Sequence, residues 1–331
     1  MAATLWYGRA WWAIPLLPFA ALFWLVSVTR RFLYRSKIWR RPDLPVPVVV
    51  VGNITVGGTG KTPVVAWLAG QLREAGFSPA IVSRGYGGSR SVVPLLVSDA
   101  TPVEVSGDEP CLLRKLTGCD IVVCVDRVAA VRCAAEHGAN VVIADDGLQH
   151  YRMRRAVEIV VIDSQRGTGN GWLLPAGPLR ESRGRLKTVD AVLSNGDSRL
   201  SDSIPFQLPQ HHAVSLADGR QKSLDEFSGE VWAVAGIGNP QRFYDGLRAR
   251  GLKVLETDVP DHGHTDIERL VRQRPLPVLM TEKDAVKYRL AEPIDAWYVP
   301  VRVVMDDAAA ARLTATVVDK VKQWQQSAQS E

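Results

Sequence analysis

The stretch from Val48 to Thr62 reads V-V-V-V-G-N-I-T-V-G-G-T-G-K-T, and it decides the fold. Its β-branched apolar run ends at a glycine, which predicts a buried strand. Helix-like sequence begins at Thr62 and stops at Gly76, a typical helix C-cap. A glycine-rich turn between a strand and a helix is typical of a phosphate-binding loop, because backbone N–H groups and the helix N-terminus both face the anion.

The residues of this loop suit a nucleoside triphosphate. The three glycines let the backbone approach a polyphosphate closely, Lys61 can reach the β- and γ-phosphates, and Thr62 can hold Mg²⁺. The strict phosphate-loop pattern has a glycine where this chain has Thr55, and a purely structural turn is the alternative. The predicted nucleotide-binding residues are Thr55, Val56, Gly57, Gly58, Thr59, Gly60, Lys61 and Thr62, and Lys61 is also predicted to be catalytic.

The rest of the chain alternates short apolar runs with helix-like segments. Strands that are apolar throughout and alternate with helices predict a parallel sheet with helices on both faces. We therefore predict an α/β fold of the P-loop NTPase type, followed by a smaller α/β lobe. Further strands are predicted at residues 79–83, 121–125, 141–144, 159–162, 189–194, 231–235, 253–256 and 278–281.

The chain divides into three predicted parts. Residues 1–41 form a membrane-associated helix with a basic flank, residues 42–212 form the P-loop core, and residues 213–331 form the smaller lobe, whose last helix is a candidate to pack back on the core. Residues 201–212 are predicted to be a linker. Residues 166–185 are rich in Gly, Pro and Arg and too long for an ordinary connection, which indicates a functional loop.

Composition and charge narrow the class of protein. The chain has 331 residues, 46% hydrophobic and 23% charged, which excludes collagen, low-complexity disorder and a polytopic transporter. Residues 1–41 contain seven basic residues and no acidic one, and since the whole chain sums to +5, the remainder carries −2. Positive charge confined to one end favours an anionic lipid surface over nucleic acid. The cysteines Cys111, Cys119, Cys124 and Cys133 lack metal-type spacing and are predicted to be reduced, buried thiols.

The N-terminal segment points to a membrane. Nineteen uncharged residues run from Trp11 to Thr29, and as a helix they would extend about 28 Å, close to the thickness of a hydrocarbon core. Pro15, Pro18 and several tryptophans favour shallow insertion near the headgroups. The arginines that follow predict that the rest of the chain lies in the cytoplasm, at the inner leaflet of the membrane. A helix packed against the protein's own core is the alternative.

An acidic pair follows the predicted strand at residues 141–144. Carboxylates at the carboxyl edge of a parallel sheet, beside a phosphate loop, are placed to hold Mg²⁺ directly or through water. Asp145 and Asp146 are therefore predicted metal ligands together with Thr62. Two aspartates in a solvated turn are the plainer alternative.

Six further segments are dense in charged residues and glycine: S-R-G-Y-G (83–87), S-G-D-E-P (106–110), D-D-G-L-Q-H (145–150), G-P-L-R-E (177–181), D-H (261–262) and T-E-K-D-A (281–285). In this order they resemble the tetraacyldisaccharide 4′-kinase family, membrane-associated P-loop kinases of lipid A biosynthesis. The resemblance covers nearly the whole chain. The phosphate loop of that family reads V-G-G-[ST]-G-K-T, so Thr55 is no departure within it.

The resemblance implies an activity. A member of this family would transfer the γ-phosphate of ATP, with Mg²⁺, to the 4′-hydroxyl of a tetraacylated glucosamine disaccharide 1-phosphate. The expected partners are this lipid and an anionic inner-membrane surface, with neither nucleic acid nor an obligate protein partner. A lipid substrate agrees with the independent interpretation of residues 1–41, since the enzyme must reach a headgroup in the bilayer.

The resemblance also assigns a base. Asp108 matches the family's catalytic aspartate and His262 its partner histidine, so Asp108 would be the general base, oriented and tuned by His262. The two residues lie on different predicted lobes and would meet only when the lobes close. A helix N-terminus at Asp108 and a surface histidine at His262 are the plainer alternatives. A zinc site among Asp261, His262, His264 and Asp266 is disfavoured, because this loop lacks cysteines and a second ligand cluster.

Other site residues are predicted by their positions. Glu109 and Glu181 are candidates for the metal's coordination shell, and Arg180 for stabilising charge on the transferred phosphoryl group. Arg127 is predicted to meet the substrate's 1-phosphate, with surface solvation as the alternative. The remaining members of the predicted site are Arg84, Tyr86, Gln149, His150 and Lys283.

Two other functions compete with the kinase. The first is a regulatory P-loop GTPase or metallochaperone, and the second is a non-enzymatic, ATP-gated membrane scaffold. Guanine-binding proteins carry N/T-K-x-D, whereas here Lys283 and Asp284 are adjacent, so the spacing does not support guanine specificity.

Overall fold

The computed structural model describes residues 6–8, 10–89, 91–197, 202–260, 263–288 and 294–329. Two β-sheets organise these described residues. The strands, numbered along the chain, are in the first sheet β1 (Val48–Gly52), β2 (Pro79–Ser83), β3 (Leu95–Val97), β4 (Ile121–Val123), β5 (Val141–Asp145), β6 (Val157–Asp163), β7 (Ala191–Asn195), β8 (Ile204–Gln207) and β15 (Val304–Met305), and in the second β9 (His212–Ser215), β10 (Gln221–Ser223), β11 (Glu230–Val234), β12 (Lys253–Glu256), β13 (Val278–Thr281) and β14 (Ala296–Val299).

Helices pack against both sheets. Short 3₁₀ helices occur at Ala10–Leu16, Arg183–Thr188 and Leu224–Glu226. The α-helices are α1 (Leu17–Arg35), α2 (Lys61–Glu74), α3 (Val103–Ser106), α4 (Asp108–Thr117), α5 (Arg127–Glu136), α6 (Pro240–Arg248), α7 (Ile267–Gln273), α8 (Glu282–Ala285) and α9 (Asp307–Gln329).

The first sheet has the order β15-β8-β7-β6-β1-β5-β2-β4-β3. From β8 to β4 neighbouring strands are parallel, and an antiparallel strand closes each edge. β1 is central and buried on both sides, which is why its sequence is apolar at every position rather than alternating. Val49 and Val51 pack with α2, α4 and α9, whereas Val48 and Val50 pack with α5. The predicted α/β fold, with a parallel sheet between helical layers, is confirmed.

The second sheet has the order β10-β9-β14-β13-β11-β12, with a parallel centre from β14 to β12. The predicted linker over residues 201–212 is wrong, because Ile204–Gln207 is β8 and extends the first sheet beside β7. Phe206 is almost fully buried there. Pro205 hides this strand from sequence analysis, since proline is typical of strand edges and turns.

The N-terminal helix stands apart from the core. The segment Ala13–Arg35 is long and apolar enough to cross a membrane, by length and composition, and only 11% of its most apolar window is buried. Phe19, Leu22 and Leu25 are each more than half exposed. Ala13 and Ala20 pack on the other side against Ala176 of the long Gly/Pro-rich loop. The alternative of a helix buried in the protein's own core is therefore wrong.

Candidate active site

The glycine-rich loop connects the carboxyl end of β1 to the start of α2 at Lys61. Gly57 and Gly60 have φ of +103° and +93°, which side chains with a Cβ rarely adopt. A Cβ on Gly60 would also lie 2.8 Å from the amide nitrogen of Asn195. The buried hydroxyl of Thr59 has no hydrogen-bond partner within the described part of the chain. The loop is thus an open cradle of backbone groups at a helix N-terminus, which suits an anion.

Two asparagines that sequence analysis missed hold this loop. Asn53 is fully buried after β1 and donates its side-chain amide to the carbonyl of Gly57 at 3.2 Å. Asn195 ends β7 and donates to the carbonyl of Thr59 at 3.3 Å. Each asparagine follows an apolar strand in the sequence, and that position was the available signal.

The acidic pair lies at the end of β5, the strand beside β1: Asp145 is its last residue and Asp146 follows it. Lys61 Nζ lies 3.6 Å from Asp146 Oδ1, and Arg180 Nη1 lies 2.9 Å from Asp146 Oδ2. Burial alone would raise the pKa of Asp146, but these two cations hold it well below its usual range. Asp146 therefore stays ionised and fixes both cations at the loop.

Asp145 has a different environment from its neighbour. It is 2% exposed, and its Oδ1 has no hydrogen-bond partner among the residues described. Burial raises its pKa, Glu109 adds to this, and Lys61 opposes it. An unpartnered carboxylate oxygen beside a phosphate loop, with the Thr62 hydroxyl at the start of α2, is a donor set that fits Mg²⁺.

Arg127 lies beneath this edge rather than on its surface. It is 2% exposed and donates to the carbonyls of Asp145 at 3.0 Å and Cys124 at 3.4 Å. Burial lowers its pKa to about 10, while the charge of Asp145 opposes the shift. In this position it supports the end of β5, so solvation at the surface is excluded. Its contact with a substrate phosphate stays a prediction.

Glu181 and Gln149 belong to a buried network behind the acidic edge. Gln149 Nε2 donates to Glu181 Oε1 at 2.9 Å and to the carbonyl of Asn53 at 3.1 Å. Arg185, 3% exposed, pairs with Glu181 Oε2 at 3.2 Å and with Glu158. Because both oxygens of Glu181 have protein partners, the residue anchors the 177–185 segment; its role as a metal ligand stays a prediction.

Asp108 starts α4 and meets the second lobe, which is formed by the second sheet with α6, α7 and α8. The residue is 2% exposed, and its Oδ1 accepts the N–H of Glu109 at 2.9 Å. Lys287 Nζ lies 3.5 Å from Asp108 Oδ2, and Lys283 Nζ lies 3.9 Å from the same atom. Lys283 is closer to Glu109, at 3.2 Å. The two lobes therefore meet at this carboxylate. The predicted partner His262, with Asp261, lies outside the described residues.

The loop with Arg84 and Tyr86 lies against the residues that precede Asp108. A Cβ on Gly107 would lie 2.6 Å from the carbonyl oxygen of Tyr86, so the two loops touch through their backbones. Tyr86 is 57% exposed. Arg84 also faces His150, whose pKa is lowered to about 4 by burial and by Arg127, Arg30 and Arg84 together. The contact of these side chains with substrate stays a prediction.

Two cavities flank the phosphate loop. One, of about 180 Å³, lies between the lobes and is bounded by residues 58–63 of the loop and helix, by Glu109 and Lys283, and by apolar side chains that include Leu112 and Ile237. The other, of about 570 Å³, lies at the ends of β6 and β7, beside Asn195 and Arg242. The phosphate loop, the start of α4 and helix α8 therefore all border the first cavity.

A group of hydrogen bonds joins the two lobes near the phosphate loop, and sequence analysis did not predict its residues. Asp163 ends β6, is 3% exposed, and accepts hydrogen bonds from Asn239 Nδ2 and Arg242 Nη2, each at 2.9 Å. Nearby, Gly238 lies against Gly58 of the loop. The second lobe is thus in direct contact with the anion cradle.

A glycine-rich loop between a central parallel strand and a helix, with an acidic pair on the neighbouring strand, defines a P-loop nucleotide-binding protein. The sequence profile of the tetraacyldisaccharide-1-P 4′-kinase family matches residues 12–318. The chain therefore belongs to this family, and the resemblance stated from its motifs is confirmed.

Individual relatives agree with this assignment. The chain is 42% identical over 324 residues to the tetraacyldisaccharide 4′-kinase of Actinobacillus succinogenes, which covers 97% of this chain and 98% of the relative. It is 50% identical over 294 residues to that of Halorhodospira halophila, covering 88% and 89%. The crystal structure of LpxK from Aquifex aeolicus in complex with ATP matches with a TM-score of 0.76 and 27% identity, over 93% of this chain and 99% of that one.

Proposed function

We propose that this protein transfers the γ-phosphate of ATP to the 4′-hydroxyl of a tetraacylated glucosamine disaccharide 1-phosphate, a lipid A precursor. The observation that carries the proposal is the shared cavity, in which the phosphate loop and Glu109, the neighbour of Asp108, face one space. A phosphoryl donor at the loop and an acceptor hydroxyl at the start of α4 would then lie side by side. The family match supplies the identity of the acceptor.

ATP and Mg²⁺ are the proposed cofactors. The backbone of residues 57–60 would bind the phosphates, and Thr62 and Asp145 would hold the metal. Bound Mg²⁺ supplies charge neutralisation at the phosphate oxygens. In the described structure the ammonium group of Lys61 lies beside Asp146. The phosphates of a bound nucleotide would attract this ammonium group. Arg180, held by Asp146, would stabilise charge on the group in transfer.

Asp108 is the proposed general base. Its carboxylate is buried, already has one oxygen fixed by the Glu109 N–H, and directs the other toward the second lobe. Exclusion of water from the closed site would protect ATP from hydrolysis. His262 is the proposed partner that orients the carboxylate. Because lysines of the second lobe reach Asp108, we infer that closure of the lobes and completion of the site are one event.

The lipid acceptor defines where the enzyme works. The exposed apolar sides of α1 suit the acyl region of a bilayer, and Arg35, Lys37 and Arg40, all exposed beyond or at its end, suit anionic headgroups. α1 packs against the loop that carries Arg180, so insertion would bring the catalytic edge to the membrane surface. The proposed location is the cytoplasmic face of the inner membrane.

A single assay tests the transfer. Purified protein is incubated with [γ-³²P]ATP, Mg²⁺ and the tetraacyldisaccharide 1-phosphate in detergent, and lipids are separated by thin-layer chromatography. We expect a labelled lipid with the wild-type protein and none with Asp108→Asn. Equal hydrolysis of ATP and GTP with no labelled lipid would favour the regulatory NTPase instead, and tight ATP binding with no product at all would favour the scaffold.

A further inference from the structure

Lys287 occupies a junction between the lobes that the reaction described above does not use. The side chain is only 7% exposed, and its ammonium group contacts three separate segments. It lies 2.8 Å from Asp284 Oδ1, donates to the carbonyl of Gly263 at 2.8 Å, and lies 3.5 Å from Asp108 Oδ2. A buried ammonium is tolerated only where charges and acceptors surround it, so this arrangement is specific rather than incidental.

The counter-ion of Lys287 is itself fixed. Asp284 is 1% exposed, and its Oδ2 accepts the backbone N–H of Gly236 at 2.9 Å and the hydroxyl of Thr281 at 2.6 Å. Thr281 in turn caps α8 by accepting the N–H of Asp284. With its Oδ2 held by two donors, Asp284 directs Oδ1 at the Lys287 ammonium.

The adjacent side chain, Tyr288, contacts the same segment as Lys287. Its hydroxyl donates to the carbonyl of Thr265 at 2.9 Å and accepts the N–H of Thr265 at 3.2 Å. The segment from Gly263 to Thr265 is therefore held at two points by consecutive residues that follow α8. Lys287 joins this fixed segment to Asp108 on the other lobe.

Lys283, one turn earlier, behaves differently. It borders the cavity beside the phosphate loop, and its ammonium lies closer to Glu109, at 3.2 Å, than to Asp108, at 3.9 Å. Lys287 is not among the residues that border that cavity, and Asp108 is the group through which it reaches the site. Among the described residues of the proposed site, Asp108 is therefore the one that Lys287 contacts.

We propose that Lys287 is a positioning residue for the base: it ties the Asp108 carboxylate to the second lobe, so that the carboxylate is oriented only when the lobes are joined. The inference rests on the proposed function, in which Asp108 accepts the proton. A base displaced by about 1 Å loses roughly 10²-fold in rate, even when substrate binding is intact. Lys287 thus makes the orientation of Asp108 depend on domain closure.

The test compares Lys287→Met and Lys287→Arg with the matched control Lys253→Met, an exposed lysine of the same lobe. We expect Lys287→Met to lower kcat by about 10²-fold, with the Kd for ATP and the KM for lipid changed less than about threefold. Lys287→Arg keeps the charge and is expected to recover most of the loss, whereas Lys253→Met stays at the wild-type rate. kcat, KM, Kd and Tm are measured for each.

A loss of folding is separated from a loss of positioning by a second variant. Lys287→Met leaves Asp284 buried without its cation and lowers Tm, whereas Lys287→Met/Asp284→Asn removes both charges and restores Tm. We expect kcat to remain low in this double variant. Recovery of kcat together with Tm would overturn the proposal, as would a wild-type kcat in Lys287→Met.

The role of Asp108 is tested independently. If Asp108→Asn retains the wild-type kcat, Asp108 is not the general base, and this holds for any result with the Lys287 variants. If Asp108→Asn is inactive on lipid, adding Lys287→Met to its residual rate should cost no more than about twofold, because both changes act on one group. Fully additive losses would instead contradict action through Asp108.

Discussion

Gly58 of the phosphate loop and Gly238 of the second lobe touch through their backbones, and a side chain on Gly238 would overlap the loop. A Cβ on Gly238 would lie within 3.0 Å of the nitrogen and Cα of Gly58, and a Cβ on Gly58 would lie 3.2 Å from the nitrogen of Gly238. The contact joins the anion cradle directly to the lobe that carries Lys287. Lobe position and loop geometry therefore change together.

Gly238→Ala is expected to force the loop and the second lobe apart. Because the obstructing atoms are backbone rather than a flexible side chain, the displacement reaches the phosphate site, and we expect kcat to fall by about 10²-fold with weaker ATP binding. Steady-state kinetics and ATP titration measure both. Gly70→Ala is the matched control, since a Cβ there meets nothing within 4 Å; it should keep activity and gain up to about 1 kcal/mol of stability. Normal kinetics in Gly238→Ala would contradict the coupling.

Arg180→Ala is expected to impair phosphoryl transfer more than ATP binding. Arg180 is held 2.9 Å from Asp146 and also contacts Asn53, so its guanidinium is placed beside the phosphate loop before nucleotide arrives. Removing one preorganised charge near the reacting group costs about 10²- to 10³-fold in kcat. The exposed Arg183 of the same segment provides the control, Arg183→Ala. A change confined to the KM for ATP would assign Arg180 to ground-state binding instead.

His150 predicts a pH dependence of stability. Its pKa in the folded chain is about 4, lowered by burial and by Arg127, Arg30 and Arg84, against 6.5 for the free side chain. Between these values the unfolded chain binds a proton that the folded chain does not, so stability is full above about pH 6.5 and is lost as the pH falls toward 4. Tm measured from pH 7.5 to 5 should therefore fall less in His150→Asn than in the wild type. The exposed His137 gives the control His137→Asn, expected to follow the wild-type curve.

The parts of the site that sequence analysis predicted are those encoded locally. A strand, a glycine turn and Lys61 are contiguous, and Asp145 follows an apolar run, so parallel topology alone places both at one sheet edge. The bounds of β2, β12 and β13 were predicted to the residue for the same reason. A local sequence pattern is sufficient to predict a site residue when that residue lies in or next to the element that the pattern predicts.

The missed residues depend on contacts between distant segments. Asn195 binds the loop carbonyl of Thr59 across 136 positions, and the ends of Lys287 and Asp108 meet across the lobe interface. An asparagine after an apolar strand is a positional signal, but neither it nor a lysine after a helix carries a local signature of its distant partner. Arg127 illustrates the converse: the sequence predicted a contact with a substrate phosphate, with surface solvation as the alternative, and its burial under β5 is visible only in the assembled fold.

The exposed sides of α1 predict that two charges placed there together will release the protein from membranes. Leu22 and Leu25 are 59% and 55% exposed, so replacing both with Asp removes no core packing, yet a charge at the centre of a membrane-inserted helix costs about 2.5–3.5 kcal/mol. Leu22→Asp/Leu25→Asp should reduce co-flotation with phosphatidylglycerol vesicles at least about tenfold, while Tm stays unchanged. Val304→Asp places the same charge at a 53% exposed apolar site on the edge strand β15 and should float as the wild type does. Activity on detergent-dispersed lipid should persist in both variants, because the change affects access to the bilayer rather than the phosphate site. Undiminished flotation of the α1 variant would show that another surface holds the protein at the membrane.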